Sequence, residues 1–447
     1  MSLKKPINSN YCGTIVSLKN IIILDNCDNV VHTNILGNLI IVSKTSKIGD
    51  IGIFFPIETK LSDEFLKNNN LYNKSEMNID NTKKGFFEKN GRIRCQKFRG
   101  HKSEGFFIPL NSLDFTNHKE ELKEGDEFDE LNEIKICEKY INRKNIQSNT
   151  SNGNKAKKKL KRFERIISKY FNFHIDTKQL YKSIELLNKE DIIQISLKIH
   201  GTSSIASYIP VKRKLSLIEK FLKLFKVKIE ETEYDYVYSS RKVIKNSEIN
   251  PNKQDFYSED IWTIAGNELK EYLQKGMTFY FEVVGYLPNG GYIQKDFDYG
   301  NEVGKHSNHI YRITYVNDDG KVFEFSSKQV QEFCKLNGLN AVKELYYGKV
   351  IDLYNILKVK YVEKYVALLG ERESDFYHDI LLELLKLEYL EKTVENNLSC
   401  EVPDEGIVIR VEKNDIDSYK LKSFKFMLKE TDNLDKEIID IEEQSEE

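Results

Sequence analysis

The sequence predicts an α+β protein built in two parts, and three observations carry that reading. Residues 1–141 read as short β-runs separated by turn signals. Residues 142–162, NRKNIQSNTSNGNKAKKKLKR, have the polar composition of a linker and end in a basic cluster from Lys155 to Arg162. Beyond them strands and helices mix, with helices concentrated between Ser327 and Asn397.

In the first part GTIVSLKNIIIL, HTNILGNLIIVS and IGIFFPI are strand-like, and KNGRIRCQKFRG and SEGFFIPL continue the pattern. Helical spacing is confined to the piece around Leu61–Leu66, so a small barrel or sandwich is expected. After the linker, Ile166, Ile167 and Tyr170 have helical spacing within Phe163–Phe171. A second helix is expected from an Asp176 N-cap through Leu180, Ile184 and Leu187. Strands follow: DIIQISLKI, TSSIASYI, YDYVYSSRKVI, TFYFEVVGYL, HIYRITYV, EGIVIRVE and DSYKLKSF. The lysine-rich KRKLSLIEKFLKLFKVKIEE (212–231) interrupts them as a surface helix. Residues 429–447 read as an acidic tail or frayed helix with no chemistry assigned.

At 447 residues the chain has room for two or three cores. Its 68 basic and 70 acidic side chains nearly cancel, which excludes a general polycation but leaves local basic clusters for phosphate. Six scattered cysteines without a C-x-x-C pair predict reduced thiols rather than a zinc site. No apolar run approaches the roughly 18–20 residues of a membrane span, and MSLKKPINSN lacks a signal core. An intracellular monomer, cytoplasmic or nuclear, with no membrane partner is expected.

The stretch SLKIHGTSS holds a Lys-x-x-Gly quartet, and strand or helix phase separates it from those at Lys97 and Lys335. Lys335 ends a helical pattern that Gly338 would cap. Lys97 belongs to a basic strand with Arg92, Arg94 and Arg99, suited to a nucleic-acid backbone or to a solvated face. Lys198 differs. Ile193, Ile195, Leu197 and Ile199 share one strand face, and Gln194, Ser196, Lys198 and His200 share the other. Downstream come SSRKV (239–243), Glu282 amid the apolar FYFEVVG, Glu405 opening EGIVIRV, and Lys420 and Lys422 on one face of YKLKS. A carboxylate within an apolar strand is costly unless it is partnered.

In this order the residues resemble the covalent nucleotidyltransferase superfamily of ATP-dependent ligases and mRNA-capping guanylyltransferases. KIHG resembles motif I, SSRK motif Ia, FEVVG motif III, HIYRITY motif IIIa, EGIVIR motif IV and KLK motif V. The resemblance covers Phe163 to Leu428. Only about 25 residues follow KLK, where DNA ligases and capping enzymes carry an OB-fold. A β-rich domain ahead of the catalytic one most resembles the Naegleria-type RNA ligases, and GDIGIFFP, FHIDTKQL and GGYIQKDFDYG are similar to stretches of that family.

The resemblance implies an N-terminal OB-like barrel (1–141) and a nucleotidyltransferase domain (163–428) of antiparallel sheets flanked by helices, an ATP-grasp-like ligase fold. It implies three steps: Lys198 attacks ATP to give lysyl–AMP, AMP moves to an RNA 5′-phosphate, and a 3′-OH displaces it. An ordinary lysine, pKa about 10.4, is protonated at pH 7, so the chemistry requires positive neighbours. Lys420, Lys422 and a divalent cation would supply them. Glu405 and Glu282 would hold Mg²⁺ or Mn²⁺ through water. Arg241 would contact ribose or phosphates, Glu282 the ribose hydroxyls, and Tyr311 the adenine. Gly201 would let nucleotide approach the backbone, and Thr202 and Ser203 would donate hydrogen bonds.

Arg92, Arg94, Lys97, Arg99, Lys157 and Lys158 are the candidate RNA contacts, with Phe98, Phe106 and Phe107 near enough to stack. Many ligases have aspartate where this chain has His200, which leaves that contact to the metal's waters open. The alternatives are a capping-type guanylyltransferase using GTP and a non-catalytic RNA-binding OB protein.

Overall fold

The computed structural model describes residues 3–116, 122–141, 165–245, 260–370, 376–413 and 417–436. The linker cluster, with Lys157 and Lys158, and residues 437–447 lie outside them.

The first part is built on strands β1 (Gly13–Ser17), β2 (Val30–Ile35), β3 (Asn38–Ser43), β4 (Ile51–Pro56), β5 (Gly105–Pro109) and β6 (Glu127–Phe128). A four-stranded antiparallel sheet has the order β6-β1-β4-β5, and β2 and β3 form a hairpin extended by Ile22–Ile23. The run IGIFFP is buried on both faces, because β4 separates two cores. Ile53 and Phe55 join Ile15, Phe65 and Phe128 on one side, while Phe54 joins Val16, Ile40 and Phe107 on the other. Phe107 is therefore a core residue, whereas Phe98 stays exposed.

The second part contains two sheets. Its strands are β7 (Ile192–Lys198), β8 (Thr202–Lys212), β9 (Thr232–Ser240), β10 (Met277–Gly285), β11 (His306–Val316), β12 (Val322–Glu324), β13 (Glu344–Lys349), β14 (Gly406–Val411) and β15 (Asp417–Lys422). One sheet runs β15-β14-β7-β13, with Lys178–Gln179 added in parallel to β15. The other runs β9-β8-β10-β11-β12. The chain leaves the first sheet at Lys198 and enters the second at Thr202, so Ile199–Gly201 is the crossing between them. A Cβ at Gly201 would lie 2.3 Å from Val283 O, and glycine is what lets the crossing pass β10.

The first part has one short α-helix among the described residues, Asp63–Asn68, and the helices of the second part are α1 (Leu217–Leu224), α2 (Ile261–Glu268), α3 (Ser327–Asn337), α4 (Val350–Lys360), α5 (Val362–Gly370), α6 (Tyr377–Tyr389) and α7 (Phe424–Asp435). Gly338 caps α3 at φ 66°, which settles Lys335 as a helix-end residue. Within the expected helical stretch, Glu344–Lys349 is a strand that edges the first sheet. The helix expected from Asp176 does not form. Its apolar spacing is met by two 3₁₀ turns, Leu180–Lys182 and Ile184–Leu186, which bury Leu180, Ile184 and Leu187 against α6 and β7. Asp176 is instead paired with Arg241, 2.6 Å away. Arg165–Phe171 contains turns and no helix, with Phe171 packed on Ile205 and Tyr280.

Helix α7 overruns the expected boundary at 428 and ties the two parts together. Cys95 packs on Phe424 and Met427, and the Cys95 N–H donates to Thr431 Oγ1. Arg92 is turned inward: its side chain is 1% exposed. Its fork donates to both Glu58 carboxylate oxygens at 2.8 and 3.2 Å and to Asp435 at 3.2 Å. Arg94 pairs with Glu88 and Asp435. The expected basic RNA-facing strand thus shrinks to Gln96–Phe98, and two of its arginines serve domain contacts. Lys97 and Arg99 remain exposed.

Arg92→Ala is expected to cost about 3–5 kcal/mol in urea unfolding, because it strands the buried Glu58 carboxylate. Arg92→Lys recovers only part, since an ammonium cannot reproduce the bidentate fork.

Candidate active site

Period-2 alternation points Gln194, Ser196 and Lys198 out of β7 into a cavity of about 390 Å³ between the two sheets. The far wall is formed by Ser203 of β8, Glu282 of β10 and Tyr311 of β11. Strand register then aligns the charged residues. Lys198 lies opposite Gly406, and Gly406 lies opposite Lys422, so the three strand ends form one row with Glu405 at its head. Two residues along β15, Lys420 shares the lining face with Lys422.

Glu405 is the centre of this row. Its Oε1 accepts from Lys198 Nζ at 2.7 Å and lies 3.5 Å from Lys422 Nζ. Oε2 lies 3.9 Å from His200 Nδ1 and accepts no hydrogen bond among the described residues, although it is buried. Burial opposes the charge of this carboxylate, but Lys198, Lys422 and His200 outweigh it and hold its pKa down to about 2. Lys422 is half-buried, and against the desolvation Glu430 and Glu405 keep its pKa well above the ordinary lysine value. Its Nζ donates to Glu430 at 3.1 and 3.2 Å. Lys420 goes the other way: burial, then the charges of Lys422, Lys198 and Arg241, push its pKa down to about 7. Two lysines of one strand face thus titrate in different ranges, because Glu430 reaches only one of them.

Glu282 accepts from the Gly201 N–H at 3.1 Å, which fixes the crossing and leaves the carboxylate on the cavity wall. Tyr311 has no opposite residue on β10: Tyr280 pairs with Arg312 and Phe281 with Ile310. It is a bulge residue, and the bulge aims its ring into the cavity. Its hydroxyl is within 3.1 Å of Ser203 Oγ and 3.0 Å of His174 Nδ1. Arg241 lines the cavity beside Asp176. Thr202 is buried at the start of β8 outside the lining, and the adjacent Ser203 occupies it. His200 is no loose turn residue. Its ring sits edge-on between Phe297 and Phe426, at 4.8 and 4.9 Å, and the His200 backbone N–H donates to the Tyr299 hydroxyl.

The sequence reading missed Glu430, which lies on α7 in the stretch taken for a tail. It also missed the first part's share of the wall, where Asn8, Asn10, Tyr11, Glu58 and Lys139 face the cavity. No periodicity signals such contacts, because they join segments more than a hundred residues apart.

The donor set suits a hard cation only in part. Among the described residues no three His, Cys, Asp or Glu side chains cluster as a metal site. The open Glu405 Oε2, with Glu282 across the cavity, fits a divalent ion that takes its remaining ligands from water and phosphate.

No family model matches the chain, and no curated protein matches it in sequence. Solved structures do. An apo mutant of Naegleria gruberi RNA ligase superposes with TM-score 0.55 at 14% identity, covering 96% of this chain and 100% of that one. The chain has the fold of that RNA ligase. The same ligase with PPi gives TM-score 0.55 at 14% identity, over 95% of this chain and 100% of that one. A mutant with AMP and Mn gives 0.54 at 14%, over 93% and 98%. The match to the Naegleria ligase thus spans both parts of the chain.

The pH dependence of stability follows from Glu405. Its pKa falls from an ordinary 4.5 to about 2 on folding, so its contribution is complete above pH 4.5 and is lost as pH drops through 2. Glu405→Gln should destabilise the protein by about 1–3 kcal/mol at neutral pH. In acid-unfolding curves the gap from the native protein should close between those two pH values.

Proposed function

We propose that this protein is an ATP-dependent RNA ligase that joins RNA 3′-OH and 5′-phosphate ends through lysyl–AMP. One observation carries the reading: the buried Glu405 at the head of the Lys198–Lys422 row, with Lys420 beside it and Glu282 opposite, on a fold shared with an RNA ligase. In this reading residues 1–141 are an OB-like RNA-binding domain and 163–428 the adenylyltransferase domain, which α7 extends to Asp435.

Lys198 is the nucleophile. Its ammonium gives a proton to solvent, the free amine attacks the ATP α-phosphorus, the bond to pyrophosphate breaks, and the leaving group carries the electron pair away. In the ion pair with Glu405 the lysine proton is held, so attack requires that Glu405 be engaged elsewhere. Bound at Glu405 and the phosphates, Mg²⁺ or Mn²⁺ would supply that counter-charge and ordered water. Lys422, held charged by Glu430, and Lys420, titrating near neutrality, stabilise negative charge developing on the α-phosphate. Glu282 and Arg241 orient the ribose and phosphates, and Tyr311 packs on adenine at the bulge. The RNA 5′-phosphate then attacks the adenylate, Lys198 leaves, and the 3′-OH displaces AMP in the last step. Exposed Lys97 and Arg99 remain available to the RNA backbone.

The test is covalent labelling with α-³²P-ATP or α-³²P-GTP, followed by sealing of 5′-phosphate RNA on nicks and on single strands. ATP alone should label the protein, and Lys198→Ala should not label. Lys420→Ala and Lys422→Ala should each slow labelling about 10²–10³-fold. Label from GTP alone would assign a capping-type activity. Label that survives Lys198→Ala would remove the nucleophile assignment.

A further inference from the structure

We propose that helix α1 is an interfacial anchor that docks this protein on an anionic lipid surface. The helix is an insertion between β8 and β9, closed at its start by a capping box between Ser216 and Glu219. It buries none of its residues. At 3.6 residues per turn, Leu217, Ile218, Phe221, Leu222 and Leu224, with Phe225 just beyond, fall on one arc, and Glu219, Lys220 and Lys223 fall on the opposite arc. All six apolar side chains are exposed, Leu217 to 84% and Leu224 to 79%. A solvated helix has no use for such a face, and a contiguous exposed apolar patch marks an interaction surface.

Charge selects the occupant. From Lys212 to Lys228 the chain carries seven basic side chains and one acidic one, in a protein whose net charge is −2. Arg213 pairs with Glu219 and Lys223 with Glu231, which leaves the remaining lysines to an external anion. The same stretch of a second copy would cover the apolar arc but bring the same basic excess with it, leaving the lysines without an anion. RNA would satisfy the lysines and leave the phenylalanines and leucines in water. An anionic bilayer answers both, with acyl chains under the apolar arc and headgroups at the lysines. β8 separates α1 from the cavity: its eleven residues put the helix about 30 Å from Ser203. Docking there would leave the catalytic cavity free and bring its chemistry to a membrane, contrary to the sequence-based expectation of no membrane partner.

The experiment is co-sedimentation of the full chain with vesicles of phosphatidylcholine alone or of equal parts phosphatidylcholine and phosphatidylserine. Binding should require phosphatidylserine and weaken with salt. Lys220→Gln and Lys226→Gln should each reduce it about five-fold. Leu217→Asp with Phe221→Asp should abolish it while the thermal unfolding midpoint and circular dichroism stay unchanged. Absence of binding to the anionic vesicles, or binding that survives the two aspartates, overturns the proposal. A dimer in light scattering that these aspartates dissolve would assign the face to a second copy instead.

Discussion

The buried carboxylate of Glu405 is the constraint around which the candidate site is organised. A charge in that position is tolerated only because Lys198, Lys422 and the His200 ring surround it. Each of the three arrives from a different route: the end of β7, the end of β15 and the crossing between the sheets. The register of β7, β14 and β15 therefore has to be held to a single residue, since a slip of one would turn every lysine away from the carboxylate. The apolar faces of the same strands, Ile193, Ile195, Ile407, Ile409 and Leu421, pack against α4 and α6 and fix that register. Core packing and site chemistry are two faces of one sheet.

Helix α7 extends this dependence to the rest of the molecule. Glu430 holds Lys422 charged, Phe426 forms one wall of the His200 box, and Asp435 reaches Arg92 in the first part of the chain. Arg92 in turn neutralises Glu58, which lines the cavity. The cavity is thus walled by both parts of the chain, and the arginine of the Arg92–Asp435 contact that joins them is buried. Removing one member of such a pair exposes the other to the full cost of desolvation.

Much of the site was legible because strand alternation is a local property. The polar phase of Lys198, the isolated Glu282 and Glu405, and the shared face of Lys420 and Lys422 follow from counting by twos, and the cavity collects all five. The α+β class was legible for the same reason. The helix from Asp176 was misread because apolar spacing of four and three also suits successive 3₁₀ turns, and because Asp176 serves Arg241 instead of a helix end. Arg92 and Arg94 read as a basic surface because sequence shows charge without its partners, and Asp435 lies far along the chain.

The amino-acid sequence by itself determined the two-part α+β order, the strand faces, and the identity of the charged residues that meet in the cavity. Tertiary structure decided which of those charges are neutralised and by what. It gave Glu430 to Lys422 and withheld it from Lys420, so that two lysines on one strand face ionise differently. It turned Tyr311 into the cavity through a bulge, and it set His200 between two aromatic rings beside Glu405. Ionisation depends on burial and on charges a few ångströms away, and folding brings those charges together from distant segments.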